Sequence, residues 1–203
     1  MSDIARWDER FSVPHYIFGE APNAFLAAQK PRLPLGGTAL SVADGEGRNG
    51  VWLAQLGLDV LSVDASSVAQ QKARTLAARR GVALRTEQAD ITIWRFPEAQ
   101  YDVVAGIFFQ FCPPAPRARI FAGMSRALKP GGLLLIQGYR PEQLRYGTGG
   151  PKEIDNLYTE DLLRQSFADL EIIELASHDE VVDEGPGHRG MSALIDLVAR
   201  RPV

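Results

Sequence analysis

The segment Ala43-Asp44-Gly45-Glu46-Gly47-Arg48-Asn49-Gly50 is the richest in chemical possibility, with glycines at 45, 47 and 50 in the spacing G-x-G-x-x-G. Glycines at this spacing let a chain turn sharply and let a ligand lie against the main chain. About 20 residues on stands Asp64, where a carboxylate can accept hydrogen bonds from both hydroxyls of a ribose. A third acidic position, Asp90 in Ala89-Asp90-Ile91, can accept from the amino group of an adenine while Ile91 packs on its ring. Together these residues suit an adenosine-bearing ligand. The glycine loop and Asp64 by themselves fit a nicotinamide enzyme as well as other nucleotide binders.

Reactive side chains are sparse. The histidines are His15, His178 and His188. His188 follows Gly185-Pro186-Gly187 and lies near Glu184, so it is a candidate base or a residue that orients a second substrate. Tyr16, with Asn23 nearby, is a candidate for folding over a ligand from the N-terminal side. Phe108, Phe109 and Phe111 flank Gln110 and can line an apolar pocket. The long glycine-rich stretch from Tyr139 to Lys152 reads as a covering loop, with Tyr146 as a candidate contact and Arg140 or Arg145 as the attractor of an anionic substrate. Cys112 is a weak candidate nucleophile, and no histidine or cysteine spacing suggests a metal site.

These residues need a scaffold, and the hydrophobic rhythm supplies one. Trp7 and Phe11 are at helical spacing in a short helix Ala5–Phe11, which Pro14 ends. Pro22 suits the first turn of a second helix running to Lys30. Apolar runs at Thr38–Ala43, Val60–Val63, Val82–Gln88, Tyr101–Phe108 and Leu133–Gln137 read as buried strands. Helices are expected from Arg48 to Leu56, from Ser66 or Ser67 to Arg80, and from Pro113 or Pro114 to about Leu128. Leu128-Lys129-Pro130-Gly131-Gly132 reads as a tight turn from helix to strand. Thr159 caps a short helix. Leu170–Ser177 and Ser192–Ala199 then follow without a helical pattern and should pair antiparallel at a sheet edge. The expected fold is α/β: a Rossmann-like, seven-stranded, mostly parallel sheet with an antiparallel C-terminal strand and helices on both faces. Residues 1–203 form a single domain in this reading, with 1–34 as an N-terminal helical lid and 38–203 as the core.

Bulk composition narrows the classes. The 203 residues are 45% hydrophobic and 23% charged, with a formal net charge of −3. That balance argues against a dedicated nucleic-acid binder. One cysteine excludes an internal disulfide and suits a reducing compartment. The polar N-terminus is no secretory signal, and no apolar run reaches the roughly 18–20 residues of a membrane span. A cytoplasmic protein, monomeric or homodimeric, is expected.

Further features separate the nucleotide-binding classes. The run Leu128-Lys129-Pro130-Gly131-Gly132, taken with Tyr101-Asp102-Val103-Val104, resembles the class I S-adenosylmethionine-dependent methyltransferases. The antiparallel C-terminal pair is similar to that family's ending, and little chain is left to build a dehydrogenase substrate domain. The segments Trp7–Phe11, Gly19–Asn23, Gly45–Asn49, Gly149–Lys152, and Asp183–Gly185 through His188–Gly190 resemble a bacterial branch near the tellurite-resistance and thiopurine-type methyltransferases. The resemblance implies S-adenosyl-L-methionine as cofactor and a small-molecule acceptor. It places the cofactor against Ala43, Asp44, Gly45, Glu46, Gly47 and Asn49, then Asp64, Ala65 and Ser66, then Ala89, Asp90 and Ile91, and finally Gly106 and Ile107. Tyr16, Phe108, Arg140 and Tyr146 are left for the acceptor, with His188 and Tyr16 as catalytic candidates. Two positions depart from the class pattern: Ser41 stands where an acidic residue is usual, and Ala43 where the loop's first glycine is usual. Asp44 or Glu46 is the candidate replacement for the absent carboxylate. An NAD(P)-dependent oxidoreductase and a non-catalytic S-adenosylmethionine-binding protein are the alternative readings.

Overall fold

A computed structural model describes residues 3–203. Met1 and Ser2, the start of the expected lid, lie outside the described residues. The chain begins with α1 (Asp3–Phe11) and α2 (Ala24–Ala28). It then alternates β1 (Thr38–Val42), α3 (Arg48–Gln55), β2 (Asp59–Asp64), α4 (Ser67–Arg79), β3 (Arg85–Gln88), β4 (Tyr101–Ile107), α5 (Pro114–Ala127) and β5 (Leu128–Tyr139). After α6 (Gln143–Tyr146) and α7 (Glu160–Ser166) come the paired strands β6 (Glu171–Asp183) and β7 (Arg189–Arg200). The sheet order is β3-β2-β1-β4-β5-β7-β6. Neighbours are parallel up to β5, and β7 runs antiparallel to both β5 and β6.

Strand alternation explains why helices cover both faces. Leu40, Val42, Val104, Leu134, Ile136, Ile195 and Leu197 point to one face, where α5 supplies Ile120, Phe121 and Met124 and α7 supplies Leu163. Their alternates Ala39, Val103, Ala105, Leu135 and Val198 point to the other, against Phe25 and Leu26 of α2 and Leu53 of α3. Burying one Leu or Ile side chain contributes roughly 1.5–3 kcal/mol, so the paired layers fix the strand register.

Several boundaries differ from expectation. The second helix starts at Ala24, because the Asn23 side chain caps it by accepting from the Leu26 amide at 2.9 Å, so Pro22 precedes the cap. Its end passes into a 3-10 turn at Lys30–Arg32. The third strand begins at Arg85 rather than Val82, since the Val82 amide still donates to the Ala77 carbonyl behind α4. The Lys129–Gly132 stretch is no free turn but belongs to β5, with Leu128 opposite Tyr101 and the Gly131 amide donating to the Arg201 carbonyl. The stretch after β5 is no plain loop either, since it holds α6. β6 and β7 are longer than their apolar runs, and they carry the 184–188 turn back to the N-terminal segment, where the Gly187 amide donates to the Ile17 carbonyl at 2.8 Å.

Candidate functional site

The chain builds outward from β1 to β3, then crosses back to place β4 on the other side of β1. This topological switch opens a crevice beyond the carboxyl ends of β1 and β4, the place where open α/β sheets bind ligands. A cavity of about 810 Å³ lies there. Two of its lining residues, Ala43 just after β1 and Phe108 just after β4, have φ of +50° and +54°, a left-handed conformation costly for residues with a Cβ.

One side of the cavity is acidic. Asp64 Oδ2 accepts from the Gly45 amide at 2.9 Å and Oδ1 from the Ser66 amide at 2.8 Å, so it braces the glycine loop while lining the cavity. Each oxygen keeps a lone pair for a ligand hydroxyl, and burial raises its pKa. Asp90 Oδ1 accepts from the Thr92 amide and hydroxyl, which leaves Oδ2 available. Asp44 is buried, accepting from Ser41 Oγ at 2.7 Å, Ser62 Oγ at 2.8 Å and the Gly50 amide at 3.2 Å. Desolvation still pushes its pKa up to about 6. Ser41 therefore serves as a donor to the Asp44 carboxylate. Gly50 is required beside it, because a Cβ there would lie 2.4 Å from Asp44 Oδ2.

Glu46 faces the N-terminal segment. It accepts from the Ile17 amide at 2.7 Å and pairs with Lys72, whose ammonium also donates to the carbonyls of Phe11, Val13 and His15. These bonds tie residues 11–18 across the loop, and Trp7, Arg10, Phe11 and Phe18 thereby line the cavity.

A second group of lining residues is basic and aromatic. Arg48, the first residue of α3, pairs with Glu184 through Nη2 at 2.6 Å. Glu184 also accepts from the Asn23 side chain and the Ala24 amide. His188 packs tilted against Phe18 at 4.5 Å and edge-to-face with Phe108 at 4.4 Å between ring centroids. Burial, with Arg48 and Arg10 nearby, lowers its pKa to about 3, so it is neutral at physiological pH. Tyr139 lies alongside, its pKa pushed up to about 12 by burial and by Glu184.

The cavity thus gathers Ala43, Asp44, Gly45, Glu46, Asn49, Asp64, Ala65, Ala89, Asp90, Ile91, Ile107, Phe108 and His188 from the sequence expectation. Other expected residues lie elsewhere. Gly47 packs against Ala73, where a Cβ would come within 2.6 Å. Gly106 faces Phe109 and Met124, and Ser66 caps α4. Tyr16 is turned away, donating to the Lys72 carbonyl at 3.0 Å. Asp179 of the outer strand pairs with Arg140 and accepts from the Tyr146 hydroxyl, and Arg140 also pairs with Glu142, so neither residue is part of the cavity lining. Arg145 is not among the lining residues. Cys112 is buried at the cavity wall within the core. Sequence reasoning missed Arg10, Phe18 and Arg48 as wall residues. Only the position of Arg48, immediately after Gly47, hinted at its place.

Residues 39–132, which carry the glycine loop, Asp64 and Asp90, match the family described as "Methyltransferase domain". Hemagglutinin 1 of Eikenella corrodens is 30% identical over 168 residues, covering 80% of this chain and 54% of that protein, so the chain spans about half the length of the curated relative it matches. A solved structure described as "Conversion of a Disulfide Bond into a Thioacetal Group during Echinomycin Biosynthesis" superposes with a TM-score of 0.77 at 20% identity, covering 98% of this chain and 90% of that one. TehB from Haemophilus influenzae superposes with a TM-score of 0.71 at 23% identity, covering 87% of this chain and 61% of that one. At these identities the two structures speak for the fold. The fold and the match over residues 39–132 make the chain similar to the class I S-adenosylmethionine-dependent methyltransferases.

Proposed function

We propose that the chain catalyses methyl transfer from S-adenosylmethionine to a small-molecule acceptor by in-line displacement. The observation that carries this reading is the Gly45 loop, Asp64 and Asp90 on one cavity wall, at the ends of successive strands β1, β2 and β3. These residues fit the cofactor: Asp64 has lone pairs for ribose hydroxyls, Asp90 has a free oxygen for the adenine amino group, and Ile91 and Ile107 offer apolar surface for the ring. When bound, S-adenosylmethionine supplies a methyl group already activated on a sulfonium. The protein's part is then to hold donor and acceptor at near-attack distance, which is worth roughly 7–11 kcal/mol.

The N-terminal segment acts in this reading as a lid that excludes water, held by Glu46 and Lys72. His188, neutral and buried, is a weak base and serves better to orient the acceptor. Tyr16 supports the lid by packing on Lys72 and takes no part at the reacting atoms. The acceptor is a small molecule rather than a nucleic acid, consistent with the net charge of −3. Among the described residues no helix is long and apolar enough to cross a membrane. We place the protein in the cytoplasm, as a monomer or homodimer, in the tellurite-resistance-like branch that its N- and C-terminal motifs resemble.

Thermal melts with S-adenosylmethionine, S-adenosylhomocysteine, NADH and NADPH in parallel test the class. Ligand at about 100 times its Kd stabilises by roughly 2.7 kcal/mol, and at this size each kcal/mol moves Tm by about 2–4 °C. The two adenosyl ligands should raise Tm and the nicotinamides should not, and Asp64→Ala should abolish most of the shift. A response to the nicotinamides alone would overturn the reading.

A further inference from the structure

The cavity lining includes three aspartates, Asp44, Asp64 and Asp90, which follow β1, β2 and β3, and a second group in which Arg10 and Arg48 lie near His188, itself packed against Phe18, Phe108 and Tyr139. The carboxylates that reach the second group are engaged. Glu184 takes Arg48 Nη2, the Asn23 side chain and the Ala24 amide, and Glu46 takes Lys72 and the Ile17 amide. Glu153 lines the cavity only as an exposed residue beside Lys152.

Three polar atoms of these residues have no hydrogen-bond partner, the Tyr139 hydroxyl being one. Arg48 Nη1 is another, on a side chain only 7% exposed, and His188 Nδ1 is the third, on a residue 8% exposed. Leaving a buried donor unsatisfied is costly, more so for a charged group, and such a group in a native structure calls for an explanation. A ligand that brings an anionic oxygen supplies what Arg48 and His188 lack. The Arg48 guanidinium is planar and suited to a carboxylate, a neutral imidazole can present its proton at Nδ1, and Arg10 adds a second positive charge in the same wall. The Phe18 and Phe108 rings that pack on His188 offer flat apolar surface beside these groups.

We propose that Arg48 Nη1 and His188 Nδ1, with the rings of Phe18 and Phe108, form an acceptor subsite for a planar anion such as an aromatic carboxylate. This deepens the methyltransferase reading and rests on it. It also moves the anion-binding role from Arg140 and Arg145, where the sequence suggested it, to the opening turn of α3. A carboxylate at this place has two possible sources, the acceptor and the amino-acid end of the cofactor. The proposal assigns it to the acceptor.

Calorimetric titration with benzoate and with benzyl alcohol tests it, on the free protein and on protein saturated with S-adenosylhomocysteine. Benzoate should bind both forms, at least about tenfold more tightly than the alcohol. Arg48→Gln should weaken benzoate about tenfold while changing S-adenosylhomocysteine affinity less than about threefold. Arg48→Lys keeps a cation for Glu184 but removes the second planar N–H. It should fold and lose the preference for benzoate even if Arg48→Gln does not fold. Displacement of benzoate by S-adenosylhomocysteine would assign Arg48 to the cofactor's own carboxylate and overturn the proposal. Equal binding of benzoate and the alcohol, or no benzoate binding, would overturn it too. If S-adenosylhomocysteine itself failed to bind the wild-type protein, the methyltransferase reading would fall, and the free-protein arm would still decide whether the anion subsite exists.

Discussion

Glu184 Oε2 lies 2.6 Å from Arg48 Nη2, and this ion pair joins the turn of the C-terminal hairpin to the helix that opens from the glycine loop. Both side chains are largely buried, at 12% and 7% exposure. Removing one partner of such a pair strands the other charge and costs about 3–5 kcal/mol. Glu184→Ala should therefore lower Tm on the order of 10 °C. It should also release residues 23–24, whose side-chain and backbone N–H groups donate to the same carboxylate. A melt unchanged within about a degree would show that the pair is solvated in solution.

Lys72 is the tether of the N-terminal segment, donating to three of its carbonyls and to Glu46. Lys72→Met keeps the aliphatic stem and removes every one of these bonds. Hydrogen exchange should then speed up at the Ile17 and Phe18 amides, which donate to Glu46, while amides of β1 and β4 keep their protection. Exchange rates unchanged at residue 17 would mean that the hydrophobic contacts of Phe11 and Ile17 hold the segment unaided.

Ala43 occupies a left-handed conformation at φ +50°. Such a conformation costs a non-glycine residue about 1–2 kcal/mol, and glycine's greater freedom in the unfolded chain offsets roughly half of the relief. Ala43→Gly should stabilise the protein by about 0.5–1 kcal/mol, read from denaturant midpoints. Destabilisation would show that the Ala43 methyl contributes more through packing than the backbone strain costs.

Two buried groups shape the pH dependence in opposite senses. Asp44 titrates near 4 when unfolded and is raised to about 6 in the fold. Its contribution is full below pH 4 and is lost as pH rises through 6. Asp44→Asn should gain on the wild type by up to about 3 kcal/mol across that window. His188 is lowered from 6.5 to about 3. Its contribution is full above pH 6.5, and it is lost at about 1.4 kcal/mol per pH unit as pH falls below that value. Stability curves of His188→Asn and wild type should therefore converge on acidification from pH 6.5 to 5. Parallel curves would show that the imidazole titrates normally.

The sequence by itself determined what local physics can determine. The apolar runs Thr38–Ala43 and Tyr101–Phe108 marked strands of the sheet, Ser66 and Thr159 marked helix starts through their caps, and Gly45 with Asp64 and Asp90 marked part of the cavity lining. These signals depend on neighbours a few residues away or on the fixed ends of successive strands. The basic wall depended on contacts between residues far apart in the chain, and only the tertiary structure decided it. Arg140 looked free to bind an anion, and Tyr146 to contact the acceptor, until the long β6 brought Asp179 to them. Ser41 looked like a lost carboxylate until β2 placed Ser62 across from it and Asp44 filled the space between. Arg48 gained its place only when the hairpin folded Glu184 and His188 back over the glycine loop, because charge pairing and burial depend on proximity in space and not on spacing along the chain.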